Sequence, residues 1–306
     1  MLSWKYCKKN PGYEKFICSQ YFIDNSLPRL ESDKKRKVFR SLIDLTIRLR
    51  VSRTSLGRPA GDEIATYRGT DTPRLGTGFI CGSRRPVYDK RCFCRTCCGK
   101  IARKKWRFDV RTACHVVYNT EEAERTTIDL FYDDDMSDKD ERMKFVYGAK
   151  MLESESDTDW CKLLFVTCDK HVGERIMSAV TCWLDDELLK PQDLLNMGLL
   201  PSCDKNCKPV LIVSHAHGQP KKITVGELKS PDEERPRIHY STPTCPGSSG
   251  APVFVYDSII GNFSYVMWVL PVHNGSFDKT STHSCNHQLN DETALEEQLN
   301  YGQEGW

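Results

Sequence analysis

The sequence predicts a mainly β protein of the barrel or sandwich type, with a short helical extension at its N-terminal end. After Gly57-Arg58-Pro59, short runs of aliphatic, β-branched and aromatic residues alternate with Gly, Pro, Asp and Asn, which is typical of all-β domains. Helical patterns are scarce after this point, and the longest one lies before it. The chain shows no internal repeat of the kind that marks solenoids and propellers.

The extension, residues 1–70, contains one amphipathic helix over about 32–52. Ser32 is a suitable N-cap before Asp33, and the apolar residues that follow recur at spacings of three and four. These residues are Val38, Phe39, Leu42, Ile43, Leu45, Ile47 and Leu49.

Ten apolar runs are predicted to be strands. They are Leu75–Ile80, Arg107–Val117, Thr126–Tyr132, Met143–Tyr147, Lys162–Val166, Ile176–Trp183, Val210–Val213, Ile223–Leu228, Ala251–Tyr256 and Ser264–Val272. Two further short helices are predicted at Leu188–Met197 and Asp291–Asn300.

Composition excludes several classes of protein. The 306 residues include 44 basic and 42 acidic side chains, so the chain is not a generally basic nucleic-acid binder or an acidic disordered segment. No run approaches the ~18 apolar residues of a membrane-spanning helix. The first residues lack the apolar stretch of a secretory signal, and 15 cysteines, an odd number, cannot all pair within one chain. We therefore expect a reducing, cytoplasmic compartment.

The most specific segment is Thr244-Cys245-Pro246-Gly247-Ser248-Ser249-Gly250-Ala251-Pro252. Glycines two residues before and one residue after Ser249 allow a tight turn in which the Gly247 and Ser249 amides converge near the serine hydroxyl. This arrangement is that of a nucleophile beside an oxyanion hole. A serine needs a histidine and a carboxylate for activation, and His115 and Asp159 each border an apolar strand-like run.

At these residues the sequence resembles the chymotrypsin-fold serine peptidases, in particular HtrA-type proteases and bacterial glutamyl endopeptidases. The order His, Asp, Ser and the intervals between these residues are similar to those of the chymotrypsin triad. The segments that carry the resemblance are Gly76–Ile80, Thr112–Val117, Ser214–Gly218, Ile223–Glu227 and Pro246–Pro252.

The resemblance implies two antiparallel six-stranded β-barrels with the active site between them. The first barrel would span 71–182, with a Cys-rich basic insertion at 81–107, and the second 183–285, followed by a polar tail over 286–306. It further implies that Ser249 is the nucleophile, His115 the general base and Asp159 the orienting acid. The amides of Gly247 and Ser249 would bind the oxyanion, and a polypeptide would be the substrate.

Two alternatives to this assignment stay open. Asp157, Asp129 and the run Asp133-Asp134-Asp135 compete with Asp159 for the acid's role. Ala251 replaces a glycine that is usual in the family, so the chain is alternatively a catalytically inactive member that acts as a binding or regulatory module.

The family's specificity pocket corresponds here to Thr244 and His273. No acid stands where trypsin-like enzymes bind Lys or Arg, and a hydroxyl with an imidazole resembles the pocket of glutamyl endopeptidases. We therefore expect a preference for Glu, Asp or Gln before the scissile bond. The alternative is that His273 only closes a turn between strands.

The cysteine-rich insertion is not part of the resemblance. Cys92, Cys94, Cys97 and Cys98 lie within seven residues and include one Cys-x-x-Cys pair, which suits a structural zinc ion. Surface thiols or a disulfide are the alternatives, and catalysis itself requires no cofactor. The basic charge of this insertion is matched by an acidic segment at Glu121–Arg142, so nucleic-acid binding is not expected, and the oligomeric state is left open.

Overall fold

The computed structural model describes residues 7–62, 64–88, 90–91, 94, 97, 101–102, 104–137, 139–183, 190–202, 208–231, 237–255, 272–276 and 283–286. The chain is mainly β, as the sequence predicts. Its helices are α1 (Ser19–Asn25), α2 (Asp33–Leu45), α3 (Thr120–Glu124), α4 (Lys170–Trp183) and α5 (Pro191–Asn196). Among the described residues, none of the helices has the length and apolar character needed to cross a membrane.

The strands fall into two large sheets and one small hairpin. In chain order they are β1 (Ile17–Cys18), β2 (Thr46–Val51), β3 (Arg74–Val87), β4 (Lys90–Arg91), β5 (Ile101–Ala102), β6 (Lys105–Thr112), β7 (Thr126–Leu130), β8 (Lys144–Glu155), β9 (Trp160–Thr167), β10 (Pro209–Ser214), β11 (Lys222–Pro231), β12 (Arg237–Tyr240), β13 (Val253–Val255), β14 (Val272–Ser276) and β15 (His283–Asn286).

The first large sheet is a closed barrel of six antiparallel strands in the order β2-β3-β6-β9-β8-β7. Alternate residues of β2, β6 and β9 point inward, as expected for strands with one buried face. Fully buried examples are Ile47, Leu49, Val51, Phe108, Val110, Leu163 and Phe165.

The predicted N-terminal helix is correct at its start and wrong at its end. The Ser32 hydroxyl accepts a hydrogen bond from the Lys35 amide at 3.3 Å, which confirms the N-cap. The helix ends at Leu45, and the next six residues form β2 of the barrel. The reason is that Thr46-Ile47-Arg48-Leu49-Arg50-Val51 alternates between apolar and charged side chains, which is a strand pattern that directly follows a helical one. The first barrel therefore begins within the stretch assigned to the extension.

The predicted strand Ile176–Trp183 is wrong, because these residues belong to helix α4. Val172, Ile176, Ala179, Val180 and Trp183 are buried and share one helical face. This face packs against α2 and the barrel. A short apolar run cannot be assigned to helix or strand by composition alone, and here the helix starts six residues before the run.

The second large sheet has the order β13-β10-β11-β12-β15-β14. Strand β1, from the N-terminal segment, pairs with β11 of this sheet. A single antiparallel bridge between Pro252 and Val272 links the two edge strands. The described residues do not show a second closed barrel. Most of the predicted strand Ser264–Val272 and all of the predicted helix Asp291–Asn300 lie outside the described residues.

The hydrophobic core is continuous between the two sheets. Phe79 of β3, Trp183 of α4 and Phe254 of β13 meet edge to face, with ring centroids 5.3 to 6.1 Å apart. Because one aromatic ring comes from each sheet, this contact fixes the position of one sheet against the other. The segment 244–252, just before β13, is thereby held next to the first barrel.

Candidate active site

His115 lies in a turn at the end of β6. The predicted strand Arg107–Val117 ends at Thr112, and the amides of Val116 and Val117 both donate to the carbonyl of Ala113. Val116 packs where a side chain at Gly76 would stand, so the turn needs a glycine in the neighbouring strand. The His115 side chain is 32% exposed and is therefore accessible from solvent.

Asp159 lies in the loop between β8 and β9 and contacts His115 and its neighbour Cys114. Both carboxylate oxygens contact His115: one accepts its main-chain amide at 2.9 Å and the other is 2.7 Å from the ring Nδ1. Its carbonyl accepts the amide of Cys114. Asp159 adopts a left-handed backbone conformation, with φ of 53°, that turns its carboxylate toward the histidine. An acid bound in this way orients the imidazole and stabilises its protonated form.

The other candidate acids lie elsewhere. Asp129 is fully buried in the barrel, where Arg48 and Arg50 each donate to its carboxylate at 2.7 Å. Asp157 is exposed, and Asp134 pairs with Arg142. Asp133 lies 2.9 Å from the buried ammonium of Lys221, and Asp135 is exposed. Of the acids the structure describes, Asp159 alone hydrogen-bonds His115.

The Ser249 segment forms a tight turn that depends on two glycines. Gly247 and Gly250 have φ of 92° and 83°, which side-chain-bearing residues rarely adopt. Within the turn, the amide of Ser248 donates to Cys245 and the amide of Ala251 donates to Ser248. In the described part of the chain, the amides of Gly247 and Ser249 donate to no other group. They are therefore available as a pair of donors, as an oxyanion hole requires.

Thr77 of β3 connects this turn to the first barrel. Its hydroxyl donates to the carbonyl of Gly247 at 2.8 Å and accepts the amide of His215 at 3.0 Å. Its own amide donates to the carbonyl of Ser249 at 2.8 Å. With its carbonyls bound in this way, the turn is oriented by a residue from the other sheet.

The turn and the histidine come together through Gly250. A Cβ atom at Gly250 would stand 2.0 Å from the Thr112 hydroxyl and 3.0 Å from the amide of Ala113, two residues before His115. The half-buried Ser249 is therefore next to the histidine turn. No hydrogen bond joins its hydroxyl to His115 in the part of the chain described here. Catalytic hydrogen bonds in enzymes without substrate are often long and shorten when the substrate binds.

The neighbouring Ser248 has a different environment. Its hydroxyl is fully buried and lies 2.9 Å from the hydroxyl of Ser214 at the end of β10. Of the two adjacent serines, only Ser249 is partly exposed.

Thr244 and His273 are both buried beside the turn. The carbonyl of His273 accepts the amide of Gly250 at 2.6 Å, and its amide donates to the carbonyl of Ala251 at 2.8 Å. The imidazole Nδ1 is 2.7 Å from the hydroxyl of Tyr240. Thr244 is joined to the N-terminal segment, because Asn10 donates to its carbonyl at 2.9 Å.

A buried ion-pair network contacts the main chain of His115. Arg58 is fully buried and donates to the carbonyl of His115 at 3.1 Å and to both carboxylate oxygens of Glu122 at 2.7 Å. Arg74 also contacts Glu122, at 2.8 Å. Asp62 pairs with Arg58 at 2.7 Å, so two arginines and two carboxylates compensate one another's charge beneath the turn.

The cysteine-rich insertion is described only in part. Cys92 and Cys98 lie outside the described residues. The Cys94 sulfur is 3.1 Å from that of Cys97 and 3.4 Å from that of Cys168, just after β9. These three sulfurs are close enough to share one metal ion. Cys168 was missed by sequence reasoning because it lies some seventy residues from the insertion. The ten cysteines whose side chains are described are all free thiols.

The cysteines beside the histidine are packing residues. Cys161 is fully buried, and burial raises the pKa of its thiol well above the ordinary value. Its sulfur donates to the carbonyl of Val117 at 3.2 Å. The neighbouring Cys114 is buried and donates to the carbonyl of Trp160 at 2.9 Å.

Comparisons with known proteins give distant structural similarities. No protein-family model matches the chain, and no curated protein sequence does. A serine endoprotease from Yersinia pestis aligns with 12% identity and a TM-score of 0.42, over 89% of this chain and 67% of that one. The active form of the Rv3671c protease from M. tuberculosis aligns with 13% identity and a TM-score of 0.41, over 93% and 87% of the two chains. Its inactive form gives 13% identity and a TM-score of 0.39, over 93% and 96%. Similarities this low assign no function to the chain.

Proposed function

We propose that this chain is a serine endopeptidase that hydrolyses peptide bonds through an acyl-enzyme. The observation that carries the proposal is the pairing of His115 with Asp159 beside a serine turn that offers two amide donors. Base, orienting acid, hydroxyl and oxyanion donors are the four parts that acyl transfer by serine requires.

The reaction follows from these groups. Nε2 of His115 takes the proton of the Ser249 hydroxyl as its oxygen attacks the peptide carbonyl. The amides of Gly247 and Ser249 stabilise the negative oxygen of the tetrahedral intermediate. His115 then gives the proton to the leaving amine, and the carbon–nitrogen bond breaks. Water, activated by the same imidazole, releases the acid and restores Ser249.

We further propose that Thr244 and His273 form the specificity pocket. Both are buried next to the serine turn, and Tyr240 fixes the orientation of the imidazole. A hydroxyl and an imidazole suit a carboxylate or amide side chain, so Glu, Asp or Gln is expected before the scissile bond.

A zinc ion bound by the cysteine-rich insertion is a separate proposal. The geometry favours Cys94 and Cys97 with Cys168 as ligands. Such an ion would join the insertion to the end of β9, and it has no part in the chemistry of the serine.

The experiment is cleavage of a diverse peptide library, with mass-spectrometric identification of the cut sites. We expect cleavage after Glu, Asp or Gln, a loss of at least about 10³-fold on Ser249→Ala, and no loss on Ser178→Ala, an exposed serine of α4. Cleavage after Lys or Arg would overturn the pocket assignment. Cleavage that survives in Ser249→Ala would overturn the mechanism, and no cleavage at all would favour the inactive binding module.

A further inference from the structure

A second group of side chains that can bind a metal ion includes a residue of the serine turn, the tight turn at residues 245–251. The sulfurs of Cys7 and Cys245 and a ring nitrogen of His217 all lie within 4.8 Å of one another. They come from three distant parts of the chain: the N-terminal segment, the turn after β10 and the serine turn itself. Cys245 is buried, and the other two are partly buried.

The histidine of this group is held by its main chain. His217 adopts a left-handed conformation, with φ of 53°, and its amide donates to the carbonyl of Pro246. Its Nε2 atom is buried without a hydrogen-bond partner among the described residues. A buried polar atom without a partner is destabilising, so a ligand at this nitrogen would remove that penalty. A neutral imidazole nitrogen is a common zinc ligand.

The cysteine sulfurs are surrounded as metal-bound sulfurs commonly are. Asn10 donates an N–H to the Cys245 sulfur at 3.1 Å, so the sulfur acts as an acceptor. Tyr13 and Phe16 pack around the group and limit its contact with water. Hydrogen bonds to the ligand atoms and an apolar shell are typical of metal sites in proteins.

The separation of the two sulfurs also favours a shared ion. They lie 3.5 Å apart, near the ~3.8 Å expected for two thiolates at ~2.3 Å from a tetrahedral zinc ion. We propose that Cys7, His217 and Cys245 bind a zinc ion as three of its four ligands. Binding releases the two thiol protons to solvent and leaves the imidazole neutral.

The ion would tie the N-terminal segment to the serine turn. Cys245 precedes Gly247 by two residues, and His217 is hydrogen-bonded to the intervening Pro246. Loss of the ion should therefore loosen both residues 7–16 and the turn that carries the two amide donors. Zinc binding at this site requires no catalytic activity, so the inference does not depend on the proposed function.

The test measures metal content in protein whose other thiol cluster has been removed. In a Cys94→Ser/Cys97→Ser background, we expect one equivalent of zinc by mass spectrometry of metals. Cobalt replacing the zinc should give a thiolate-to-cobalt charge-transfer band. Cys7→Ser and His217→Gln should each abolish the band and lower the metal content at least tenfold. Cys182→Ser, on α4, is the matched control and should change neither.

Ser249→Ala should keep the full equivalent of zinc, which separates this inference from failure of the catalytic proposal. Circular dichroism of each variant shows that the fold is retained, and hydrogen exchange of residues 245–250 should accelerate when the metal is removed. Unchanged zinc content in both Cys7→Ser and His217→Gln would overturn the inference. So would a metal-free protein in which mass spectrometry finds a Cys7–Cys245 disulfide.

Discussion

The carboxylate of Asp159 accepts two hydrogen bonds from His115, one from the main-chain amide at 2.9 Å and one at the ring Nδ1 at 2.7 Å. The hydrogen bond from the main-chain amide fixes the position of His115. The hydrogen bond at Nδ1 fixes which ring nitrogen carries the proton. With the proton on Nδ1, Nε2 is the basic nitrogen that can act on a serine hydroxyl.

Asp159→Asn should lower kcat by about 10⁴-fold, because an amide can donate to Nδ1 and then favours the wrong tautomer. Steady-state kinetics on the best library peptide measures this effect. The control is Asp157→Asn, an exposed neighbour that should leave kcat within about twofold of the original. A loss of less than tenfold in Asp159→Asn would contradict the assignment of Asp159.

Asp129→Asn should lower the free energy of unfolding and leave the kcat of the folded protein unchanged. The carboxylate is fully buried and accepts from Arg48 and Arg50, which are 14% and 44% exposed, so its loss should cost about 1–3 kcal/mol. Urea unfolding should show this loss, while the folded fraction keeps its kcat. Full stability with lost activity would instead identify Asp129 as the triad acid.

The sequence was sufficient for the parts of the fold that have simple periodicity. Strands β3, β7, β9, β10 and β11 and the N-cap Ser32 follow from local patterns, and the structure confirms them. The boundary between α2 and β2 was missed because two apolar patterns join without a turn residue. Helix α4 was missed because its apolar run is shorter than the helix.

At the site, the residues with a distinctive local motif could be found, and those with long-range partners could not. Gly247 and Ser249 stand in a recognisable turn motif. Thr77 looks like an ordinary strand residue, although the glycines on both sides of it signal a close approach of another chain segment. Cys168 and Tyr240 have no local signal, because their partners are brought to them only by the fold.

Thr77→Val should lower kcat by about 10- to 100-fold, with a smaller change in KM. The reason is that the Thr77 hydroxyl positions the serine turn through its hydrogen bond to Gly247. Thr77→Ser keeps the hydroxyl and should restore most of the activity. Michaelis–Menten kinetics of both variants tests this role. A Thr77→Ser variant as defective as Thr77→Val would contradict a role that depends on the hydroxyl.

Asp44 should make stability depend on pH in the acid range. Burial alone would raise the pKa of this carboxyl, but Arg40, Arg175 and Lys221 together lower it below its ordinary value. The unfolded chain therefore takes up the proton first as the pH falls. The stabilisation is complete above about pH 3.9 and is lost below it, at up to about 1.4 kcal/mol per pH unit.

Asp44→Asn should consequently be less stable than the original chain at pH 7 and should lose less stability on acidification. Urea unfolding at neutral and acid pH measures the difference. Asp24→Asn on the exposed side of α1 is the control and should follow the original chain. Parallel pH curves for the Asp44→Asn and original chains would contradict this role of Asp44.

The most direct test of the catalytic site is labelling with a fluorophosphonate, followed by mass-spectrometric mapping of the modified residue. An assembled site should place the label on Ser249, with labelling abolished in Ser249→Ala, slowed strongly in His115→Ala and unchanged in Ser178→Ala. A label on another residue, or equal labelling of the original and Ser249→Ala chains, would contradict the account.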